Sequence, residues 1–167
     1  MISKKGNLKK ITQSNIYKII ITLKAMLNSA LLDELLRNLL KKVPDLLGVL
    51  VVDLDGLIIA QQSLEGIDEE IIGAIMSILE RTISQIKRFT DTSYGCGTFD
   101  TNNFQLFYME LEGKNPAIFV LVSDPYCDLE KIIPYSYLVA EKVSLIINLR
   151  ETTSELPDFG INGENIL

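Results

Sequence analysis

Asp53 and Asp55 stand two residues apart at the end of the apolar run Leu47 to Val52, and Gly56 follows them. A second acidic group, Asp124 and Asp128 in Ser123-Asp124-Pro125-Tyr126-Cys127-Asp128, follows another apolar run. Carboxylates that converge at strand ends can hold Mg²⁺ and work on a phosphate ester. The same letters also read as plain backbone chemistry. Asp55-Gly56 is a hairpin turn signal, Asp53 is a turn residue, and Asp128 can cap a helix. The chain has no histidine, so the usual neutral-pH base and the commonest metal ligand are missing. Cys96 and Cys127 stand far apart with no CxxC or Cys/His cluster, which excludes a structural zinc site. They read as two reduced thiols of a cytoplasmic protein.

The elements around these residues follow from apolar spacing. No Gly or Pro occurs from Ser14 to Lys42, yet the apolar phase changes within that stretch. Ile16, Ile19, Ile20, Leu23, Met26, Leu27 and Ala30 share one side of a helical wheel, and Leu32, Leu35, Leu36, Leu39 and Leu40 lie nearly opposite. The spacing predicts a break near Asn28-Ser29, with Ser29 as N-cap of a second helix that Pro44 stops. Leu47 to Asp53 and Leu57 to Ser63 read as a hairpin. A long helix from Glu69 to Phe89 follows, capped by Asp68, with apolar residues over roughly half its circumference, where an ordinary one-sided helix has a stripe of ~100°. Such a helix must bury a flank against something besides its own sheet. Ser93 to Phe99, Phe104 to Leu111 and Ala117 to Ser123 form a meander, and a last helix runs from Asp128 to Arg150. In that helix a minor stripe of Leu138, Leu145 and Leu149 is placed to meet the helix at 30–42.

The expected fold class is therefore α+β, in the order α-β-β-α-β-β-β-α after one extra helix. Its five-stranded sheet is mainly antiparallel, with helices on both faces. The expected division is a basic amphipathic helix at 1–28, a domain at 29–151 and a flexible acidic tail at 152–167. Residues 1–28 carry six lysines and no acid, on a chain of net charge −6. That asymmetry suits docking on an anionic surface, either lipid or the protein itself. The helix could lie on a membrane through Ile16, Ile19, Ile20 and Leu23, pack on its own domain or another protomer, or bind a partner. Packing on protein is the favoured expectation, with peripheral membrane contact the alternative. The acidic body and the lack of basic-aromatic interleaving argue against nucleic acid.

Two families share features with this chain. Asp53-Leu54-Asp55-Gly56 resembles the first motif of the haloacid dehalogenase-like phosphatases, in which the first Asp is a nucleophile and the second a general acid/base. On that resemblance Asp53 and Asp55, with Asp124 and Asp128, would form a Mg²⁺-dependent site. Leu57 stands where that family has Thr, and the span between the two acidic groups reads as one helix and a meander. A parallel sheet would need crossover helices there. The span 29–151 resembles the Roadblock/dynein light chain family in its order of elements, in Val43-Pro44 and Gly48-Val49 entering the first strand, and in Val51-Val52-Asp53 with Asp55-Gly56-Leu57 forming the first hairpin. Tyr126-Cys127-Asp128-Leu129-Glu130 departs from that family's usual small polar link.

The second resemblance implies a non-catalytic scaffold or regulator of a small Ras-like GTPase, with no cofactor or metal. It implies a dimer with a like chain, homodimeric or heterodimeric, through the long helix and the third strand. On this chain that interface would use Ile71, Ile75, Ile78, Leu79, Ile86, Ser93, Tyr94, Cys96 and Thr98. Arg81 and Arg88 are the candidate contacts to the GTPase or another partner. The chain lacks a glycine-rich phosphate loop with Lys-Ser/Thr, so it is not itself the GTPase.

Overall fold

The strand at the centre of the sheet is an apolar run, Ala-Ile-Phe-Val-Leu-Val-Ser, that every neighbour needs. The computed structural model describes residues 13–54, 57–64, 67, 69–90 and 95–148. Within them lie α1 (Gln13–Lys42), β1 (Leu46–Asp53), β2 (Ile58–Ser63), α2 (Glu69–Thr90), β3 (Cys96–Asp100), β4 (Gln105–Leu111), β5 (Ala117–Ser123) and α3 (Leu129–Ile147). The sheet order is β2-β1-β5-β4-β3, and all four pairings are antiparallel. Residues 1–12 and the expected tail at 152–167, together with Asp55, Gly56, Asp68, Ser93 and Tyr94, lie outside the described residues.

β5 is buried along its whole length. Its alternation divides the interior in two. Ala117, Phe119 and Leu121 face a core shared with α1 and α3, through Leu32, Leu35, Leu36, Leu39, Val139 and Val143. Ile118, Val120 and Val122 face the other core, closed by Met76, Leu79 and Ile83 of α2. β1 and β4 alternate in the same way, so one sheet carries a helix layer on each face. Turns close the ends. Thr101 Oγ1 accepts the backbone N–H of Phe104 at 3.0 Å. At Gly113, φ of +150° spares the β4–β5 turn a Cβ, which would meet Asn148 Nδ2 at 2.5 Å. Asn148 holds that turn onto the end of α3 by accepting the Asn115 N–H at 3.1 Å.

Several expectations are corrected. α1 is one continuous helix through Asn28 and Ser29, so the predicted break and the N-cap at Ser29 are absent. The two apolar stripes face opposite ways without bending the helix, because only the second is packed by its own domain. Leu32, Leu35, Leu36 and Leu39 are buried, whereas Ile16, Ile19, Ile20, Leu23 and Met26 are exposed. The first stretch therefore does not pack on its own domain, one of the two protein-packing arrangements expected of it. Asn28 still ties it to α3, donating from Nδ2 to the Ile146 carbonyl.

In α3, Asp128 occupies the N-cap position but its side chain makes no capping hydrogen bond. Its carboxylate instead meets Lys131 Nζ at 3.4 Å. Leu138 is exposed, so the expected minor stripe does not carry the contact with α1. It lies one residue before Val139, and the helical turn carries it away from the buried side. Leu145 is half-buried, and Leu149 lies outside the described residues.

The continuous helix makes a contrast testable by chemical denaturation. Leu36→Ala, at a fully buried site, is expected to cost about 2–5 kcal/mol. Leu23→Ala, on the exposed stripe of the same helix, should stay within about 0.5 kcal/mol of the parent. A large loss for Leu23→Ala would mean that the outer stripe is packed.

Candidate interaction face

The carboxylates that could have formed a metal site are held apart by the sheet. β1 and β5 run antiparallel, with Asp53 opposite Ala117 and Leu46 opposite Ser123. Asp53 thus ends β1 at one end of the sheet, and Asp124 follows β5 at the other. At ~3.3 Å per residue the separation is on the order of 20 Å. Each has local work. Asp53 Oδ1 accepts the Leu57 N–H at 2.8 Å, and Asp124 Oδ1 accepts the Tyr126 N–H at 2.9 Å. Both are turn geometries of the kind Asp forms with its own backbone. Among the described residues, no three His, Cys, Asp or Glu side chains are grouped to hold a metal ion. The Asp53–Asp124 pairing required by the phosphatase resemblance is not formed.

Among the described residues β3 is an open edge of the sheet, paired with β4 alone. Its hydrogen-bonding direction can be worked out. The Glu110 N–H donates to the Gly95 carbonyl at 2.8 Å, so Gly95 points its backbone toward β4. In an antiparallel ladder this alternates, so Gly97 and Phe99 also address β4. Cys96, Thr98 and Asp100 then turn their N–H and C=O groups outward, toward the open side. An unpaired row of this kind is a template for another strand. Cys96 and Thr98 were expected at an interface, and both are exposed. Their side chains lie on the α3 side of the sheet, opposite Met109 and Phe107, and Cys96 Sγ is 3.4 Å from the Tyr137 hydroxyl. On the α2 side β3 presents Gly97 and Phe99. A Cβ at residue 97 would meet the Tyr108 hydroxyl at 2.7 Å, so glycine is what lets that ring lie over the strand. The half-exposed Phe99 escaped the sequence reading, although its period-two spacing from Gly97 on a terminal strand was the available signal.

α2 crosses the face formed by Leu50, Val52, Leu106, Tyr108, Ile118, Val120 and Val122. The expected interface residues on it divide. Leu79 is only 5 % exposed and belongs to the helix's own core, because it shares a stripe with Met76 and Ile83. Ile75 is half-buried against that core. Ile78 is 60 % exposed, Ile86 is 45 % exposed and Phe89 is 87 % exposed. The side chain of Ile71 lies outside the described residues. Arg81 and Arg88 are exposed. At 3.6 residues per turn they flank Gln85 on the outer surface, beside Ile78 and Phe89.

Lys87 leaves the helix roughly 180° from Ile78 and roughly 160° from Phe89. It reaches Glu110 Oε1 on β4 at 2.7 Å. Lys87 also lies beside Leu54, Pro116 and Ala117 at the ends of β1 and β5, so it points inward across the sheet, and the opposite, apolar flank of α2 lies on the β3 side. Glu110 is itself buried, and its Oε2 has no hydrogen-bond partner among the described residues. Lys87 is the ion-pair partner of this buried carboxylate, and removing it would leave the carboxylate unpaired.

The two thiols also differ. Cys96 is exposed and Cys127 is buried. Burial pushes the Cys127 thiol up, with a further upward push from the nearby Asp45 carboxylate. Burial likewise raises the Tyr108 phenol, with Cys96 and Glu110 adding to it. Titration with a thiol-reactive dye at mildly alkaline pH should therefore label Cys96 promptly and Cys127 only on unfolding. The sign of the linkage follows. The folded state holds the Cys127 proton more tightly than the unfolded state, so this contribution to stability is complete below the ordinary thiol pKa of ~8.5 and is lost as pH rises above it. A Cys127→Ala variant should lose less stability over that alkaline range than the parent. Equal losses would remove Cys127 from the account.

Comparison with known proteins places the architecture. Residues 32–95 match a sequence model of the Roadblock/LC7 domain. No protein with a curated description matches the chain. Among solved structures, the gliding protein MglB from Thermus thermophilus is similar, with 14% identity over 71% of this chain and 90% of that one and a TM-score of 0.61. Myxococcus xanthus MglB aligns at 11% identity over 76% and 95% of the two chains, with a TM-score of 0.60. A Roadblock/LC7 domain from Streptomyces avermitilis aligns at 17% identity over 69% and 96%, with a TM-score of 0.56. At these identities the likeness is one of fold.

Proposed function

This chain belongs to the Roadblock/LC7 family by its residues 32–95, and on that premise we propose that it is a non-catalytic, dimeric regulatory module for a small Ras-like GTPase. The observation that carries the dimer is the outward row of backbone groups on Cys96, Thr98 and Asp100. Pairing β3 with β3 of a like chain would join two five-stranded sheets and remove both exposed edges. Phe99 stands on the α2 side of that seam.

The regulated partner is assigned to the outer surface of α2. Ile78 and Phe89 offer apolar area, and Arg81 and Arg88 offer planar cations, a combination that supports a recognition surface. Neither arginine is held by an ion pair to another described residue. Either is free to reach a carboxylate or phosphate group on a partner. The GTPase is carried by the family resemblance. The site residues support a protein partner.

Two measurements test the reading. Thr98→Pro removes an outward N–H while leaving the ladder to β4 intact, since proline is tolerated on an edge strand. Light scattering across a concentration series should give a dimer for the parent and a monomer for Thr98→Pro, with circular dichroism retained. A monomeric parent would overturn the strand-pairing proposal. The double variant Ile78→Glu with Phe89→Glu should remain dimeric yet lose GTPase binding in calorimetry by more than tenfold, as expected for truncating central anchors. Loss of the dimer in this variant, with binding otherwise unaffected, would assign the α2 flank to the dimer instead.

A further inference from the structure

We propose that the first half of α1 lies on an anionic membrane surface as an interfacial helix. The inference rests on a juxtaposition that only the continuous helix creates. Ile16, Ile19, Ile20, Leu23 and Met26 form a stripe along α1, and all are exposed. Leu32, Leu35, Leu36 and Leu39, on the nearly opposite azimuth of the same rigid rod, are fully committed to the core. The first stripe is thereby aimed away from the domain. Farther along the helix the same outward azimuth carries Glu34, Arg37 and Lys41, all exposed. Its apolar character thus ends where the helix meets the body of the protein. Water is an adequate solvent for the second half of this face and a poor one for the first.

Charge chooses the occupant. Residues 1–28 contain six lysines and no acid, a net +6, while residues 29–167 carry ten basic and 22 acidic side chains, a net −12. Pairing the stripe with the same segment of a second copy would bring two cationic segments together, which opposes that arrangement. An anionic bilayer supplies both an apolar layer for the isoleucines and negative headgroups for the lysines. Lys24 is exposed beside the stripe, and Lys18 is exposed on the far side of the helix. The Lys24 stem can cover apolar surface while its ammonium group reaches headgroups, and the remaining lysines add long-range attraction. The acidic body is repelled by the same surface, which orients the domain away from the lipid. Among the described residues no helix is long and apolar enough to cross a membrane, so the arrangement is a helix lying on the surface. The dimer proposal is not needed for this inference.

Flotation of the full chain with vesicles tests it. Binding is expected to phosphatidylcholine vesicles containing phosphatidylserine, to weaken on raising the salt, and to be absent with phosphatidylcholine alone. Leu23→Glu combined with Ile19→Glu should lower partitioning roughly tenfold or more, from the apolar area lost, with unchanged denaturation because these residues touch no core. Replacing Lys18 and Lys24 by Gln should weaken binding several-fold and flatten its salt dependence. No flotation with anionic vesicles at low salt, or flotation indifferent to the Leu23→Glu/Ile19→Glu pair, would overturn the proposal. So would binding to soluble polyglutamate with none to vesicles, which would mark an acidic protein as the partner. A rise in solution mass abolished by the same pair would assign the stripe to a second copy and likewise overturn it.

Discussion

The antiparallel alignment of β1 with β5 is the constraint on which the rest depends. It puts the most apolar strands of the chain side by side at the sheet centre, with Val49 to Val52 against Ile118 to Leu121. Each strand then feeds alternate side chains to two separate interiors. Neither interior can close without a helix, and the two are closed differently. α1 and α3 share one face, and α2 alone covers the other. The same alignment sends Asp53 and Asp124 to opposite ends of the sheet, which removes the most chemical-looking residues of the chain from any common site. An arrangement that secures the core thus also determines what chemistry the protein can assemble.

A sheet centred in this way has two edges, and they are not equivalent. β2 is bent by an irregularity between Val51 and Val52 of its partner strand and lies beside α1. β3 is short, exposed and regularly paired on its inner side only. Its stability rests on β4 and on Tyr108 lying across Gly97. Backbone hydrogen-bonding capacity cannot be hidden in a strand whose outer neighbour is missing, so the demand for a partner is built into the topology. Surface apolarity on α2 is a different demand, because it arises from side chains and sits on the far side of the helix from Lys87 and Glu110. One edge and one flank together give the domain two kinds of surface with which to associate.

α1 shows how a helix can belong to two environments. Its hydrogen bonds run without interruption from Gln13 to Lys42, so its two apolar stripes hold a constant relative angle. Four buried leucines fix the rod against the sheet and α3. Whatever covers Ile16 to Met26 therefore meets a surface held at a set orientation to the domain, which a flexible linker could not provide.

The sequence by itself determined the order of elements, the sheet's antiparallel character and most element boundaries. These depend on local signals: apolar runs for β1 and β5, a 3.6-residue period for α2 and α3, and Asp-Gly and Thr-Asn-Asn turns. It also contained the wide apolar arc of α2 and the charge imbalance of the first 28 residues, since both are sums over neighbours in the chain. Only the tertiary structure decided how these were used. Leu79 and Ile78 are adjacent letters of the same type, yet one is buried in the core and the other faces solvent, because the sheet lies on one side of the helix. The phase change near Asn28 looked like a break because the sequence does not show that a rod can be packed on opposite sides at its two ends. Strand direction and neighbour order depend on contacts between residues far apart in the chain. For that reason the separation of Asp53 from Asp124 could be read only in three dimensions.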